Sequence, residues 1–151
     1  MLIFFSRTGK TGVFAKILSE IKNCPVFELR CGLNDMPALR FALRAAWSAF
    51  MRRAEPVERM PESLPDELYV CAPVWGGRIA SPARHFLLAA GLSGKKVNVL
   101  LTASVPADKY VRDAERLLGT LDCVPGVVRV FASGGAHLDE ETIREHLKEL
   151  M

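Results

Sequence analysis

The sequence predicts an α/β protein built on one open parallel sheet with helices on both faces. Short apolar runs alternate with segments of helical periodicity along all 151 residues. Two of the runs, LYVCA and VNVLLT, are apolar almost throughout, as central strands covered on both sides are. Parallel strands need crossover connections, and right-handed crossovers return the chain to the same sheet. No repeat or linker divides the chain, so we expect one domain.

The five apolar runs are rich in β-branched or aromatic residues and predict strands at about 1–5, 26–30, 68–72, 97–102 and 127–131. Segments with helical periodicity predict helices at about 11–22, 37–53, 82–91, 107–119 and 139–150. Ser81 is expected to cap the third helix ahead of Pro82, and Asp139 to accept a hydrogen bond at the start of the fifth.

Composition excludes several function classes. Half of the residues are apolar and a quarter are charged, which is typical of a globular domain. The net charge of +3 is spread among acidic residues, so no nucleic-acid partner is expected. No apolar run approaches the roughly 18 residues of a membrane span, and Leu2 to Phe5 is too short for a signal peptide. We expect a soluble cytoplasmic protein without a membrane partner.

The cysteines and histidines predict no metal site. The cysteines contain no C-x-x-C pair, and the histidines do not stand at metal-ligand spacing from them. The residues concerned are Cys24, Cys31, Cys71, Cys123, His85, His137 and His146. Free buried thiols are predicted. His137 follows two glycines beyond the fifth strand, with no partner visible in the sequence.

Ligands of open parallel sheets bind at the carboxyl ends of the strands, where the strand order reverses. The loops at that edge are 6–11, 73–81, 103–108 and 132–138. The first reads S-R-T-G-K-T-G when Gly12 is included. A Walker A loop would need glycine at Phe4, and a dinucleotide fingerprint would need glycine at Arg7. Nucleoside triphosphates and dinucleotides are therefore disfavoured.

The first loop instead combines hydroxyls, glycines and a helix N-terminus. Ser6, Thr8 and Thr11 can donate O–H groups, and Gly9 and Gly12 let the backbone approach a ligand closely. The first N–H groups of a helix have no partner within it, so they favour an anion. This combination suits a terminal phosphate held without a metal. The alternative is a Ser/Thr-rich helix cap without a ligand.

Residues 2–11, followed by Ala15 and Leu18, resemble the FMN phosphate loop that opens the flavodoxins. Every fixed position of that pattern is met over these seventeen residues, 2 to 18. The resemblance implies FMN as the cofactor and a sheet of order 2-1-3-4-5. It places phosphate contacts on Ser6, Arg7, Thr8, Gly9, Lys10 and Thr11. Lys10 replaces the asparagine of most members, and either clamps the phosphate or points to water.

A second signature spans residues 72–87, A-P-V-W-G-G-R-I-A-S-P-A-R-H-F-L. An aromatic side chain beside bare glycine backbone suits a flavin ring. The stretch is similar to the P-[IV]-W-x-G-x-x-x-P-x-x-x-F-L segment of a flavodoxin-like subgroup. That similarity implies ring contacts at Pro73, Val74, Trp75, Gly76 and Gly77. The alternative is that Trp75 packs a loop over the sheet.

The third loop departs from the flavodoxin pattern, because T-A-S-V-P-A-D-K-Y contains no glycine. The backbone amides of Ala103 and Ser104 are candidates for the pyrimidine edge of the ring. Tyr110 is expected to be a core residue of the following helix.

The second predicted helix carries Arg40, Arg44 and Arg52 at four-residue spacing, with Ser48 completing the stripe. Its large apolar residues lie on another face: Leu39, Leu43, Trp47 and Phe50. The arginine stripe is either a docking surface for an acidic redox partner or, as we favour, the solvated side of an amphipathic helix.

These features predict an FMN-binding electron-transfer protein in which the cofactor supplies the chemistry and no catalytic side chain is required. Its partner would be a redox protein, a small quinone or a nicotinamide. One alternative is an NAD(P)H-dependent quinone or flavin reductase on the same fold. Another is a flavin-free interaction module, which the third loop and the basic charge favour.

Overall fold

The computed structural model describes residues 1–133 and 139–148. The strands are β1 Leu2–Phe5, β2 Val26–Leu29, β3 Glu67–Trp75, β4 Arg78–Ile79, β5 Lys96–Ala103 and β6 Val124–Ala132. The helices are α1 Lys10–Lys22, α2 Ala38–Phe50, α3 Ser81–Ala89, α4 Asp108–Leu118 and α5 Glu140–Lys148. The predicted sequence of strands and helices is therefore confirmed, with one short strand added.

Five parallel strands form the sheet in the order β2-β1-β3-β5-β6. Counting only these strands, this is the predicted order 2-1-3-4-5. The chain moves from β1 outward to β2 and then returns across β1 to β3, so the order reverses between β1 and β3. Their carboxyl ends lie side by side, with Phe4 opposite Cys71.

The unpredicted strand β4 forms an antiparallel hairpin with the end of β3. Gly76 and Gly77, which join the two strands, have φ angles of 55° and 80°. Positive φ at both central residues is the requirement of a type I′ turn, the usual two-residue hairpin connection. The two glycines predicted to expose bare backbone therefore close a tight turn, which extends β3 beyond its predicted end.

Helices cover both faces of the sheet, as predicted. Consecutive strand residues point to opposite faces, so Leu2 and Cys71 belong to one core and Ile3 and Val70 to the other. The core around α1 and α5 includes Phe14, Ile17, Leu18, Ile143 and Leu147. The core around α3 and α4 includes Phe86, Leu87, Leu117 and Leu118.

The two predicted helix caps have different outcomes. The Oδ1 atom of Asp139 accepts the Thr142 N–H at 2.7 Å, and this hydrogen bond lowers the pKa of the Asp139 carboxyl. The Ser81 prediction is wrong: α3 begins at Ser81, its N-cap position is Ala80, and no side-chain cap forms within the described chain. The hydroxyl of Ser81 is therefore free for another role.

The cysteines are unpaired thiols, as predicted. Cys31 and Cys71 are buried, whereas Cys24 and Cys123 are half-buried. Burial raises the pKa of the Cys31, Cys71 and Cys123 thiols. Among residues 1–133 and 139–148, no helix has the length and apolar character needed to cross a membrane.

The side chain of Asn98 forms a hydrogen bond at a break in the pairing register between β5 and β6. The register shifts between Val97 and Val99, and the buried Asn98 lies at the shift. Its Oδ1 atom accepts the Val127 N–H at 2.9 Å, and its amide nitrogen donates to Glu67 Oε1 at 3.0 Å. A side chain thus replaces a backbone partner. Pro125 and Gly126 interrupt the apolar run, so the sequence pattern predicted the start of this strand at residue 127 and not at Val124.

We predict that Gly126→Ala destabilises the protein by about 1–3 kcal/mol, the usual cost of overpacking. A Cβ atom at Gly126 would collide with the Asn98 Oδ1 and Cγ atoms. Urea unfolding measures the change. Gly32→Ala is the matched control, because a Cβ at Gly32 meets nothing within 4 Å. Equal stability of the two variants would show that Gly126 does not pack closely against Asn98.

Candidate functional site

The carboxyl ends of β3, β5 and β6, together with the loop after β1, surround a cavity of about 360 Å³, within the roughly 300–1,000 Å³ of small-molecule sites. Its apolar wall is formed by Val13, Phe14, Pro73, Val74, Trp75, Ala103, Phe131 and Ile143. Its polar side chains are Thr8, Lys10, Thr11, Thr102, Ser104 and Ser133. The cavity therefore lies at the edge where the strand order predicts a ligand.

The hydroxyls of the first loop do not cap α1. Gly9 occupies the N-cap position with φ 84° and ψ −23°, and no side-chain cap forms in the part of the chain described. Thr11 is buried, and its hydroxyl is 2.8 Å from the Thr102 hydroxyl. The Ser6 Oγ atom is buried and has no hydrogen-bond partner among the described residues. The interpretation as a helix cap is therefore wrong.

The loop has recesses on both sides. Thr8, Lys10 and Thr11 line the cavity. Ser6, Arg7 and Gly9 line a second, more open recess of about 590 Å³ on the side of β2. Lys10 is exposed and belongs to the cavity wall. The structure thus divides the predicted phosphate residues between the cavity and the second recess.

The side chain of Arg7 is engaged elsewhere. Its Nη2 atom donates to the Met36 carbonyl at 2.8 Å, and its guanidinium lies 4.0 Å from the centroid of the Phe41 ring. A cation over an aromatic face is attracted by the ring quadrupole. Arg7 therefore ties the first loop to α2, and a role for Arg7 in cofactor binding would fall to its backbone.

Trp75 packs against neighbouring aromatic residues, as one of the two interpretations of the sequence expected, and it also lines the cavity. Its ring packs edge-on against Phe5 at 5.2 Å and against Phe41 at 4.7 Å between centroids. It also forms part of the cavity wall, next to Pro73 and Val74. Gly76 and Gly77 occupy the hairpin turn, where a Cβ at Gly76 would meet Ala49 of α2. Their predicted ring contacts stay a prediction.

The third loop contributes Ala103 and Ser104 to the cavity, together with Thr102, which the sequence analysis missed. Thr102 ends the predicted fourth strand, so its place at the ligand edge could have been inferred. Phe14, Phe131 and Ile143 were also missed, because the sequence does not say which core residues reach the edge. Tyr110 packs against the core, as expected. His137 lies outside the described residues.

The large apolar residues of α2 face solvent. Leu39 is 77 % exposed, Leu43 67 %, Trp47 52 % and Phe50 80 %, and we call these four residues the α2 surface. The helix packs on the fold through small residues, Ala45 and Ser48, which are buried. Ser48 therefore does not belong to an exposed stripe. The arginines Arg40, Arg44 and Arg52 are exposed beside the α2 surface.

Comparison with known proteins supports the fold. No protein-family model matches the sequence, and no curated protein matches it significantly. A provisionally assigned flavoprotein from Bacteroides eggerthii superposes with a TM-score of 0.76 at 17 % identity, over 98 % of this chain and 94 % of its own. A Lactobacillus acidophilus flavoprotein in complex with FMN gives 0.68 at 20 %, over 85 % and 90 %. Oxidised flavodoxin 1 from Bacillus cereus gives 0.51 at 16 %, over 98 % and 91 %.

These similarities define the class of fold: the protein has a flavodoxin-like fold across nearly its whole length. The predicted fold class is confirmed, and β4 is a small addition to it. At this level of identity the likeness extends to the fold alone, so the ligand has to be inferred from the residues of the site.

We predict that the hydroxyl pair of Thr11 and Thr102 joins α1 to β5. Thr11→Val and Thr102→Val should each lower the free energy of unfolding by about 0.5–1.5 kcal/mol, the usual worth of one hydrogen bond. Because both variants remove the same bond, the double variant should lose less than the sum of the two. Urea unfolding of the four proteins measures the coupling. Strict additivity would contradict the pairing.

Proposed function

We propose that the protein binds FMN and acts as an electron-transfer protein. The observation that carries this proposal is the first loop, whose hydroxyls are not used as helix caps and whose Ser6 hydroxyl is buried without a partner among the described residues. Buried polar groups in native proteins are nearly always satisfied. A bound phosphate would accept from such a hydroxyl, and the loop matches the FMN phosphate loop in sequence.

The residues present fit the phosphate of a mononucleotide. Thr8 and Thr11 offer hydroxyls, Lys10 offers a positive charge, and the N-terminal N–H groups of α1 favour an anion. Gly12 lies next to this loop, where a Cβ atom would come within 3.4 Å of Phe4 and 3.8 Å of the Ser6 Oγ atom. The L. acidophilus protein of the same fold is described in complex with FMN.

The rest of the cavity fits a planar ring system. Trp75, Pro73 and Val74 form an apolar wall, which would exclude water and orient a flavin. Ser104 follows β5, the neighbour of β3, and lines the same cavity, and we assign its backbone N–H to the polar edge of the ring. When bound, FMN supplies one- and two-electron transfer, and the chain need only hold and tune it.

The α2 surface favours an electron-transfer protein over an NAD(P)H-dependent reductase. Exposed apolar residues in a cluster are typical of a site for another molecule. The helix contains no acidic residue, and Arg40 and Arg44 flank its apolar residues, with Arg44 paired to Glu55 at 3.0 Å. The Phe41–Trp75 contact joins α2 to the cavity wall. We propose that an acidic redox protein docks there, in the cytoplasm.

The phosphate assignment predicts a specific loss of affinity. Ser6→Ala combined with Thr11→Val should weaken FMN binding at least tenfold, because hydrogen bonds to charged groups are worth roughly 1.5–3 kcal/mol each. Riboflavin lacks the phosphate, so its affinity should change by less than about twofold. Quenching of flavin fluorescence on titration with the protein measures both.

Ser19→Ala is the matched control, since Ser19 lies at the other end of α1 and bonds the Lys16 carbonyl. An unchanged FMN affinity in the double variant would show that the phosphate lies elsewhere. A wild-type protein that takes up no FMN at micromolar concentration would instead support the flavin-free module.

The carrier proposal predicts that the FMN-loaded protein does not oxidise NADH or NADPH faster than the same concentration of free FMN, with a soluble quinone as acceptor. We expect this because the proposed redox partner is a protein that docks on the α2 surface and not a nicotinamide. Absorbance at the nicotinamide band measures the rate. Sustained turnover well above free FMN would support the reductase alternative.

A further inference from the structure

A small recess lies between the C-terminal end of α2, the β3–β4 hairpin and the start of α3. Its polar lining consists of Ser48, Arg52, Arg53, Arg78, Ser81 and Arg84. Trp75 belongs to the wall of this recess and to the wall of the cofactor cavity. The recess has a volume of about 10 Å³, which is about the space of one water molecule.

Ser81 points to a ligand in this recess. Its side chain is buried, with 6 % of the residue exposed, and its Oγ atom has no hydrogen-bond partner among the residues described. Ser81 is the first residue of α3, a nine-residue helix, and its hydroxyl does not cap that helix. A buried donor beside the positive end of a helix is suited to an anion.

The charged side chains that line the recess are all positive. The Nη1 atom of Arg78 pairs with Asp113 Oδ1 at 2.6 Å. Arg84 has no carboxylate oxygen within 4.0 Å in the described ranges, and its Nε atom is buried without a hydrogen-bond partner. Arg52 and Arg53 add two further guanidiniums. Four guanidiniums thus line the recess. The Oδ2 atom of Asp113, the partner of Arg78, is also buried without a hydrogen-bond partner among the described residues.

The end of α2 is shaped to present these arginines. Arg52 has φ 51°, in the left-handed region that residues with a Cβ rarely adopt. The Arg53 N–H donates to the Ser48 carbonyl at 2.9 Å, which closes the last turn of the helix. Arg52 and Arg53 therefore follow the end of α2 directly, at the edge of the recess.

We propose that this recess binds a phosphate-type oxyanion, with one oxygen accepting from the Ser81 hydroxyl and the others meeting the guanidiniums of Arg84 and Arg78. Planar guanidiniums match phosphate geometry well. The anion is either free inorganic phosphate or the phosphate group of a small organic molecule. The site is separate from the predicted FMN phosphate loop, so the proposal does not rest on FMN binding.

The test is calorimetric titration of the whole chain with inorganic phosphate at low ionic strength. To exclude binding at the first loop, the same titration is made in the Ser6→Ala/Thr11→Val background. Arg84→Gln should weaken phosphate at least tenfold and Ser81→Ala about three- to tenfold in both backgrounds. Arg129→Gln, which removes an exposed charge on β6, should change the affinity by less than twofold.

AMP and adenosine distinguish the two sources of the anion. AMP binding more tightly than inorganic phosphate, with adenosine inert, identifies an organic phosphate as the ligand. Equal affinities identify the free anion. In either case the Trp75 indole N–H signal in a nitrogen-15 correlation spectrum should shift on binding, while the signal of Trp47 on the α2 surface stays in place.

The proposal fails if no binding is detected at 10 mM phosphate, or if Arg84→Gln, Ser81→Ala and Arg129→Gln bind equally. It also fails if the Ser6→Ala/Thr11→Val substitutions by themselves abolish phosphate binding, because the first loop would then hold the anion. Thermal unfolding of each variant establishes that it is folded. Should Arg84→Gln not fold, Ser81→Ala and the Trp75 signal decide the question by themselves.

Discussion

The packing of Trp75 between Phe5 and Phe41 is the contact on which the functional edge of this protein depends. Phe5 ends β1 and Phe41 lies on α2, so the indole joins the sheet to the helix. Edge-to-face aromatic pairs contribute about 0.5–1.5 kcal/mol each beyond the area they bury. The glycine turn that follows lets the chain reverse at once and pack closely on α2. One side chain thereby contributes to the walls of two spaces, the 360 Å³ cavity and the small recess beside Ser81 and Arg84.

The cavity illustrates how a parallel sheet assembles a polar site from distant segments. Thr11 and Thr102 are 91 residues apart, yet their hydroxyls meet because β1 and β5 flank β3 and end at the same edge. The loop after β1 brings hydroxyls and a cationic side chain, and the end of β3 brings apolar surface. This division matches a ligand with an anionic end and a planar apolar body, which is the chemistry of FMN.

Helix α2 shows where sequence patterns fall short. Periodicity separates a face of large apolar residues from a face of arginines, and the usual rule would bury the large residues. The structure instead buries Ala45 and Ser48 and packs Phe41 against Trp75, and the hairpin comes so close to α2 that a Cβ at Gly76 would collide with Ala49. Leu39 and Phe50 are left in solvent, so the face that periodicity assigns to the core is exposed.

The sequence by itself determined the number and order of the long strands and helices, since hydrophobic periodicity, glycines and prolines act locally. It also determined the first loop, because the spacing of Ser6, Thr8 and Thr11 around Gly9 is a local property. Only the tertiary structure decided the partner of Thr11, the turn at Gly76 and Gly77, and the burial of Ser81. Those features depend on contacts between segments far apart in the chain, and such contacts leave no periodic trace in the sequence.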